Sequence, residues 1–192
     1  GRESRRVAKI VRGLLSFSRQ KPEDQELNQI AELLDHTLPL VQALMANDQI
    51  KIDVSIPTDL PPLKCSGSQI QQVVMNLLTN ARDALNERFE GSDPEKILWV
   101  IVEPIEISGA PFQRITVEDQ GIGISTEIQD RVFEPFFTTK SKSTGTGLGL
   151  SISHGIVQDH DGHLTFESVP GRYTRFFLDL PVDSELVPEA AK

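Results

Sequence analysis

Cysteine is almost absent. Cys65 stands alone, so no internal disulfide can form, and a reducing compartment is the expectation. Positive charge is in deficit. Nineteen lysines and arginines face 28 aspartates and glutamates, a formal net charge of −9. That balance argues against a nucleic-acid partner held by a general basic field. Any polyanionic ligand must then be held by local donors or by a metal ion. No apolar run approaches the length of a membrane span, no signal peptide is read, and no internal repeat is present. The segment is expected to be cytoplasmic and to make no membrane contact. Any inner-membrane anchor of a parent protein would lie elsewhere.

What is present suits one sizeable core with a short appendage. The chain has 192 residues, 38% of them hydrophobic and 24% charged. Residues 1–20 read as an amphipathic helix. Val7, Ile10, Val11, Leu14 and Phe17 form a stripe suited to a helical partner. Pro22 and its charged neighbours mark a boundary. The expected organisation is an appended helix over 1–22, one domain over 23–182, and a polar, disordered tail over 183–192. Within the domain, helices are expected over 27–47, 67–88 and about 147–160. Strands are expected over 50–56, 97–107, 112–119, 163–169 and 174–180, with the second and third joined through Ser108–Pro111. Helices on one face of a mostly antiparallel sheet define an α+β two-layer sandwich.

On a helical wheel of residues 68–87, Ile70, Val73, Val74, Leu77, Leu78, Ala81 and Leu85 form the buried stripe. Gln69, Gln72, Asn76, Asn80, Asp83 and Glu87 form a second stripe on one adjoining face. Arg82 points to nearly the opposite side. Asn and Asp are poor formers of helix interiors. Either this is an ordinary polar face, or it is a working edge where a carboxamide oxygen ligands a hard cation such as Mg²⁺.

Three loops carry further chemistry. In "EDQGIGI", Asp119 ends a strand before Gly121 and Gly123. This suits a carboxylate reading the amino group of a planar base, or simply a turn capped by Asp. In "FEPFFTTK", at least one of Phe133, Phe136 and Phe137 is expected to pin a loop to the core, and Thr138, Thr139 and Lys140, with Lys142 beyond, offer hydroxyls and positive charge to phosphates. In "GTGLGLSISHG", from Gly145 to Gly155, bare backbone opens an apolar helix. A helix N-terminus of that kind accommodates a phosphate, and a flexible turn is the alternative.

In this order "NLLTNARDAL", "EDQGIGI", "FEPFFTTK" and "GTGLGLSIS" resemble the N, G1, F and G2 boxes of the sensor histidine kinases. These share a superfamily with type II topoisomerase, chaperone and mismatch-repair ATPases. The resemblance covers roughly Leu27 to Pro181. "IVRGLLSFSR" also resembles the second helix of the family's dimerisation and phosphotransfer hairpin. The resemblance implies a Bergerat-type sandwich with a mixed sheet, binding ATP and Mg²⁺. It implies Asn80 as the Mg²⁺ ligand, with Asn76 its catalytic companion and Asp83 on the same edge. Asp119 resembles the adenine-reading carboxylate, with Gly121 and Gly123 in the turn beneath, and Thr174 matches a threonine near the adenine. Lys140 is implied as a phosphate contact from the lid. Gly145, Thr146, Gly147, Leu148 and Gly149 are implied at the triphosphate.

The hydrolysing branches of the superfamily carry a glutamate four residues before the metal-binding asparagine. Here Asn76 stands there, and a carboxamide cannot take a proton from water. The resemblance therefore implies a protein-histidine kinase and not a dimer-clamp ATPase. A serine kinase of the same superfamily is the other alternative, and the hairpin-like helix at 1–20 weighs against it. The implied partners are the chain's own hairpin with a second protomer, and a response-regulator receiver domain. The acceptor histidine would lie on the hairpin's first helix, which this sequence lacks, so the chain is not expected to label itself. His36, in "DHTLPL", imitates an acceptor box. Its proline falls three residues on instead of five, and no acidic residue follows it. His160 and His163 flank a helix-to-strand turn and lack the further ligands of a zinc site, and His154 is read as packing or surface.

Overall fold

The computed structural model describes residues 25–140 and 145–186. The expected helix over 1–20, its junction at Pro22, Lys142 and residues 187–192 lie outside the described residues.

The helix carrying the asparagines, here α2 (Gly67–Arg88), forms as its pattern dictates. Ser66 caps it by accepting from the Gln69 N–H at 3.4 Å. Its seven predicted apolar residues are all buried. The helix before it, α1 (Ile30–Asn47), buries Ile30, Leu33, Leu34, Leu38, Val41 and Met45 against α2.

The expectation that this first helix begins at residue 27 is corrected. Glu26–Asn28 form a short strand, β1, paired antiparallel with β3 (Leu63–Cys65). The Asn28 side chain adds a bond from Nδ2 to the Cys65 carbonyl at 2.9 Å. The ladder offered by β3 outweighs local helical pattern, and it leaves Leu27 exposed.

The main sheet has five strands in the order β2-β4-β5-β7-β6. These are β2 (Lys51–Ser55), β4 (Ile97–Ile107), β5 (Ala110–Asp119), β6 (His163–Val169) and β7 (Tyr173–Pro181). The β2–β4 pair is parallel and the others antiparallel, so the sheet is mixed. The connection expected over Ser108–Pro111 is shorter than that. Ser108 and Gly109 alone make it, both with positive φ, as a two-residue hairpin turn requires.

Alternation then sorts the faces. Leu98, Val100, Val102, Ile115, Val117, Phe176, Leu178 and Leu180 point into one core with the helices. On the open face, Arg114 forks onto Asp179 at 2.7 and 2.8 Å, and Arg175 donates to Glu118 at 2.7 Å. The third helix, α3 (Gly149–Asp159), packs on α2 and β6. Ser184–Leu186 form a single 3₁₀ turn after the sheet. No helix among the described residues is long and apolar enough to cross a membrane.

Candidate functional site

The outer edge of α2, the end of β5 and the start of α3 enclose one cavity of about 360 Å³. Asn76, Asn80, Asp83 and Glu87 line it from α2, four positions of the predicted polar stripe. The stripe does not reach the cavity along its whole length. Gln72 faces a separate depression with His36, Leu40 and Met75, and Gln69 lines neither. The expectation of one continuous working edge is corrected to its C-terminal half. Arg82 turns the other way, to Asp48.

Part of the cavity wall is carboxylate and hydroxyl. Asp119 is 2% exposed and sits in register opposite Thr174 across the β5–β7 ladder. The Gly121 N–H donates to Asp119 Oδ1 at 2.8 Å. Burial nevertheless pushes this carboxyl up to about 7, against the lowering effect of that bond. Gly121 does not line the cavity and serves beneath it. A Cβ there would lie 2.6 Å from both the Ala84 backbone and Asp119 Oδ1, so the turn can pass only as glycine. Gly123 does line the cavity. Arg88, in the last turn of α2, secures this turn by donating from Nη1 to the carbonyls of Gln120 and Arg172, each at 2.8 Å.

The same wall also carries a cation. Lys140 Nζ donates to Asp83 Oδ2 at 2.6 Å and to Asn80 Oδ1 at 3.2 Å. An ammonium thus already rests on the oxygens that a hard cation would use, so the donor set fits Mg²⁺. Asn76 lies one turn back, where its Nδ2 donates to the buried Ser153 hydroxyl of α3 at 3.0 Å. That bond fixes the orientation of the carboxamide. Its oxygen lies so near Gly149 that any side chain there would strike it.

Gly145, Thr146, Gly147 and Gly149 complete the wall. Leu148 does not line the cavity. Its side chain is buried, and its N–H donates to Thr146 Oγ1 at 3.4 Å. Helix α3 starts two residues later than the sequence suggests, because Gly147 takes a left-handed φ of 67°. Its carbonyl accepts from the Phe136 N–H at 2.8 Å.

The three phenylalanines part company. Phe133 packs on His154 and Phe166, with ring centres 5.0 and 5.9 Å away. Phe137 lines the cavity. Phe136 is not a pin: it is 61% exposed.

The remaining histidines have other work. His160 is buried, with Nδ1 on the Ile156 carbonyl at 2.7 Å and Nε2 accepting from the Ser66 N–H at 3.0 Å. Both ring nitrogens are committed, so it cannot be a metal ligand. No cluster of three or more His, Cys, Asp or Glu suited to a metal occurs among the described residues.

Sequence reasoning missed Ser153, Ser168 and Arg88. Their roles rest on partners 77, 44 and 84 positions away along the chain. For Ser153 a signal did exist, one turn after Gly149 on the face of α3 that meets α2.

A sandwich with a carboxamide and carboxylate edge on one helix and a buried carboxylate at a strand tip, sharing one cavity, is the architecture of a nucleotide-binding ATPase domain. Residues 65–184 match the family model described as histidine kinase-, DNA gyrase B- and HSP90-like ATPase, and the chain belongs to that family. Among curated relatives, it is 33% identical over 185 residues to the sensor kinase CckA of Brucella abortus, covering 92% of this chain and 19% of that protein. It is 30% identical to the signal transduction histidine-protein kinase AtoS of Escherichia coli, over 93% of this chain and 28% of that one. The chain therefore spans between 19% and 28% of the length of these relatives. Among solved structures, the catalytic domain of histidine kinase ThkA superposes with a TM-score of 0.68 at 25% identity, covering 83% of this chain and 96% of that one. Full-length ShkA in complex with AMPPNP superposes at 0.71 with 22% identity, over 91% and 35% of the two chains.

Proposed function

We propose that the chain is the ATP-binding catalytic domain of a sensor histidine kinase, with residues 1–22 the second helix of its dimerisation hairpin. The observation that carries this reading is the polarity of the cavity. A buried carboxyl and hydroxyl, Asp119 and Thr174, and a cation held on Asn80 and Asp83 line the same cavity. An adenine amino group suits the first and a metal-bound triphosphate the second.

Asn80 would hold Mg²⁺ with Asp83 beside it, and the ion would neutralise charge on the phosphates. Lys140 would exchange its present oxygens for phosphate oxygens. The backbone of Gly145, Thr146, Gly147 and Gly149, at the start of α3, would accommodate the triphosphate. Asn76 offers no base for water. Its carboxamide, held by Ser153, would orient the γ-phosphate for a nitrogen nucleophile brought by the hairpin.

In that transfer a histidine ring nitrogen forms a bond to the γ-phosphorus. The bond from that phosphorus to the β–γ bridging oxygen breaks, and ADP leaves. A receiver-domain aspartate of a response regulator would then take the phosphoryl group.

The test uses ATP labelled at the γ-phosphate, with the chain alone and with a separately supplied acceptor hairpin. Acid-labile label on the hairpin, and none on the chain alone, is expected. Stable label on the chain itself would overturn the division of labour. Steady ATP turnover that vanishes in Asn76→Ala would indicate a hydrolysing clamp.

A further inference from the structure

The hydroxyl of Ser168, on β6 beside the base end of the cavity, has three partners. It accepts from the Ile124 N–H at 2.8 Å. It donates to the Tyr173 carbonyl at 2.8 Å. It also lies 3.1 Å from Thr174 Oγ1. A serine hydroxyl owns one proton, and a carbonyl can only accept. The Ser168 proton is therefore spent on Tyr173, and the proton in the third bond must come from Thr174.

This accounting fixes the chemistry of Thr174. Its only hydroxyl proton points at Ser168, so towards the cavity it presents lone pairs. Its neighbour across the ladder, Asp119, is an acceptor whenever it is ionised. Both side chains line the cavity, and both are almost wholly buried. Water is thus poorly placed to relieve a mismatch, and an acceptor set against an acceptor is costly.

We propose that Ser168 is a specificity-determining residue: by taking the Thr174 proton it leaves acceptors alone on the side chains at the base end, so the cavity selects a 6-aminopurine nucleotide and rejects a 6-oxopurine one. The inference rests on the nucleotide reading above and deepens it. A 6-amino group brings donors to these oxygens. A 6-oxo group brings another acceptor, and Thr174 has no proton to offer it. Ser168 reaches no ligand itself and acts through Thr174.

The experiment compares ADP and IDP, which differ at that position, by calorimetry on the full chain with Mg²⁺ present. Wild type is expected to prefer ADP. In Ser168→Ala the Thr174 proton is released to turn towards the base, and the preference should shrink about three- to tenfold, the worth of one neutral hydrogen bond. Ser168→Thr keeps the hydroxyl and should keep the preference. Adding Ser168→Ala to Thr174→Val should change nothing further, because no proton remains to be redirected. A purely structural role for Ser168 would weaken both nucleotides by one factor. That result, or an unchanged ratio, overturns the inference. Should Ser168→Ala fail to fold, Thr174→Val alone carries the test, since losing the acceptor must narrow the ratio, and an unchanged ratio again overturns it. Binding of neither nucleotide by wild type would instead sink the nucleotide reading, and this inference with it.

Discussion

The ammonium of Lys140 lies 2.6 Å from the Asp83 carboxylate while also touching Asn80 Oδ1. A lysine and a divalent ion cannot share those oxygens. On the proposed function, loading of the site with Mg²⁺ would therefore be an exchange of cations. Lys140→Met should lower the Mg²⁺ concentration needed for ADP binding about two- to fivefold. The effect is modest because the pair is partly exposed, 31% and 42%. Affinity for ATP should move the other way, because the phosphate contact is lost. A Mg²⁺ titration of ADP and ATP binding checks both directions.

Asp119 makes the fold weaker than it could be. Burial raises its carboxyl from the ordinary carboxylate range to about 7 in the folded chain. Between those values the folded state holds a proton that the unfolded state has released, so stability falls as pH rises through that window. Above it the buried charge carries its full cost. Asp119→Asn should remove this slope and raise stability at pH 8 by about 1–3 kcal/mol. It should weaken ADP binding at least tenfold. Melting temperature against pH, with calorimetry beside it, reads both effects.

On the proposed function, the same titration would govern recognition in the wild type. Only the ionised carboxylate is a pure acceptor, and protonation supplies a donor. ADP affinity should therefore decline below about pH 7. The discrimination against IDP should decline with it, since a protonated Asp119 can donate to a 6-oxo group. Binding isotherms of both nucleotides between pH 5.5 and 8.5, on the order of half a unit apart, check this.

Gly147 and Gly171 both have left-handed φ, 67° and 73°. A Cβ on Gly171 meets nothing within 4 Å, whereas on Gly147 it runs into the backbone of Phe136. Gly171→Ala should cost only backbone strain, about 1 kcal/mol. Gly147→Ala should cost about 2–4 kcal/mol, with the collision added, and should abolish nucleotide binding. Chemical denaturation of the two variants separates strain from collision.

Much of this was legible in the sequence because it lies in periodic elements. The buried stripe of α2 is written in consecutive turns. The partition of that helix into core and cavity edge follows from the same periodicity. The ladder of β1 and β3 escaped because strands of three residues are too short to carry a pattern, and each forms only by finding the other. Gln69 and Gln72 share the stripe of Asn76 and Asn80, yet the wheel does not say where a cavity ends. The Lys140 contact with Asn80 and Asp83 joins residues about sixty positions apart. The direction of the Thr174 proton depends on a serine in the neighbouring strand. Such hydroxyl chemistry is set by tertiary contact, and residue type alone leaves it open.

The histidine that links Ser66 to Ile156 ties the first residue before α2 to the last turn of α3, and Asn76 with Ser153 joins the same two helices about two turns of α3 earlier. Two such rivets suppress both tilting and sliding. The two helices are therefore braced against each other at both places. On the proposed function, a rearrangement around the nucleotide would then pivot before Gly149, with the two braced helices as its frame.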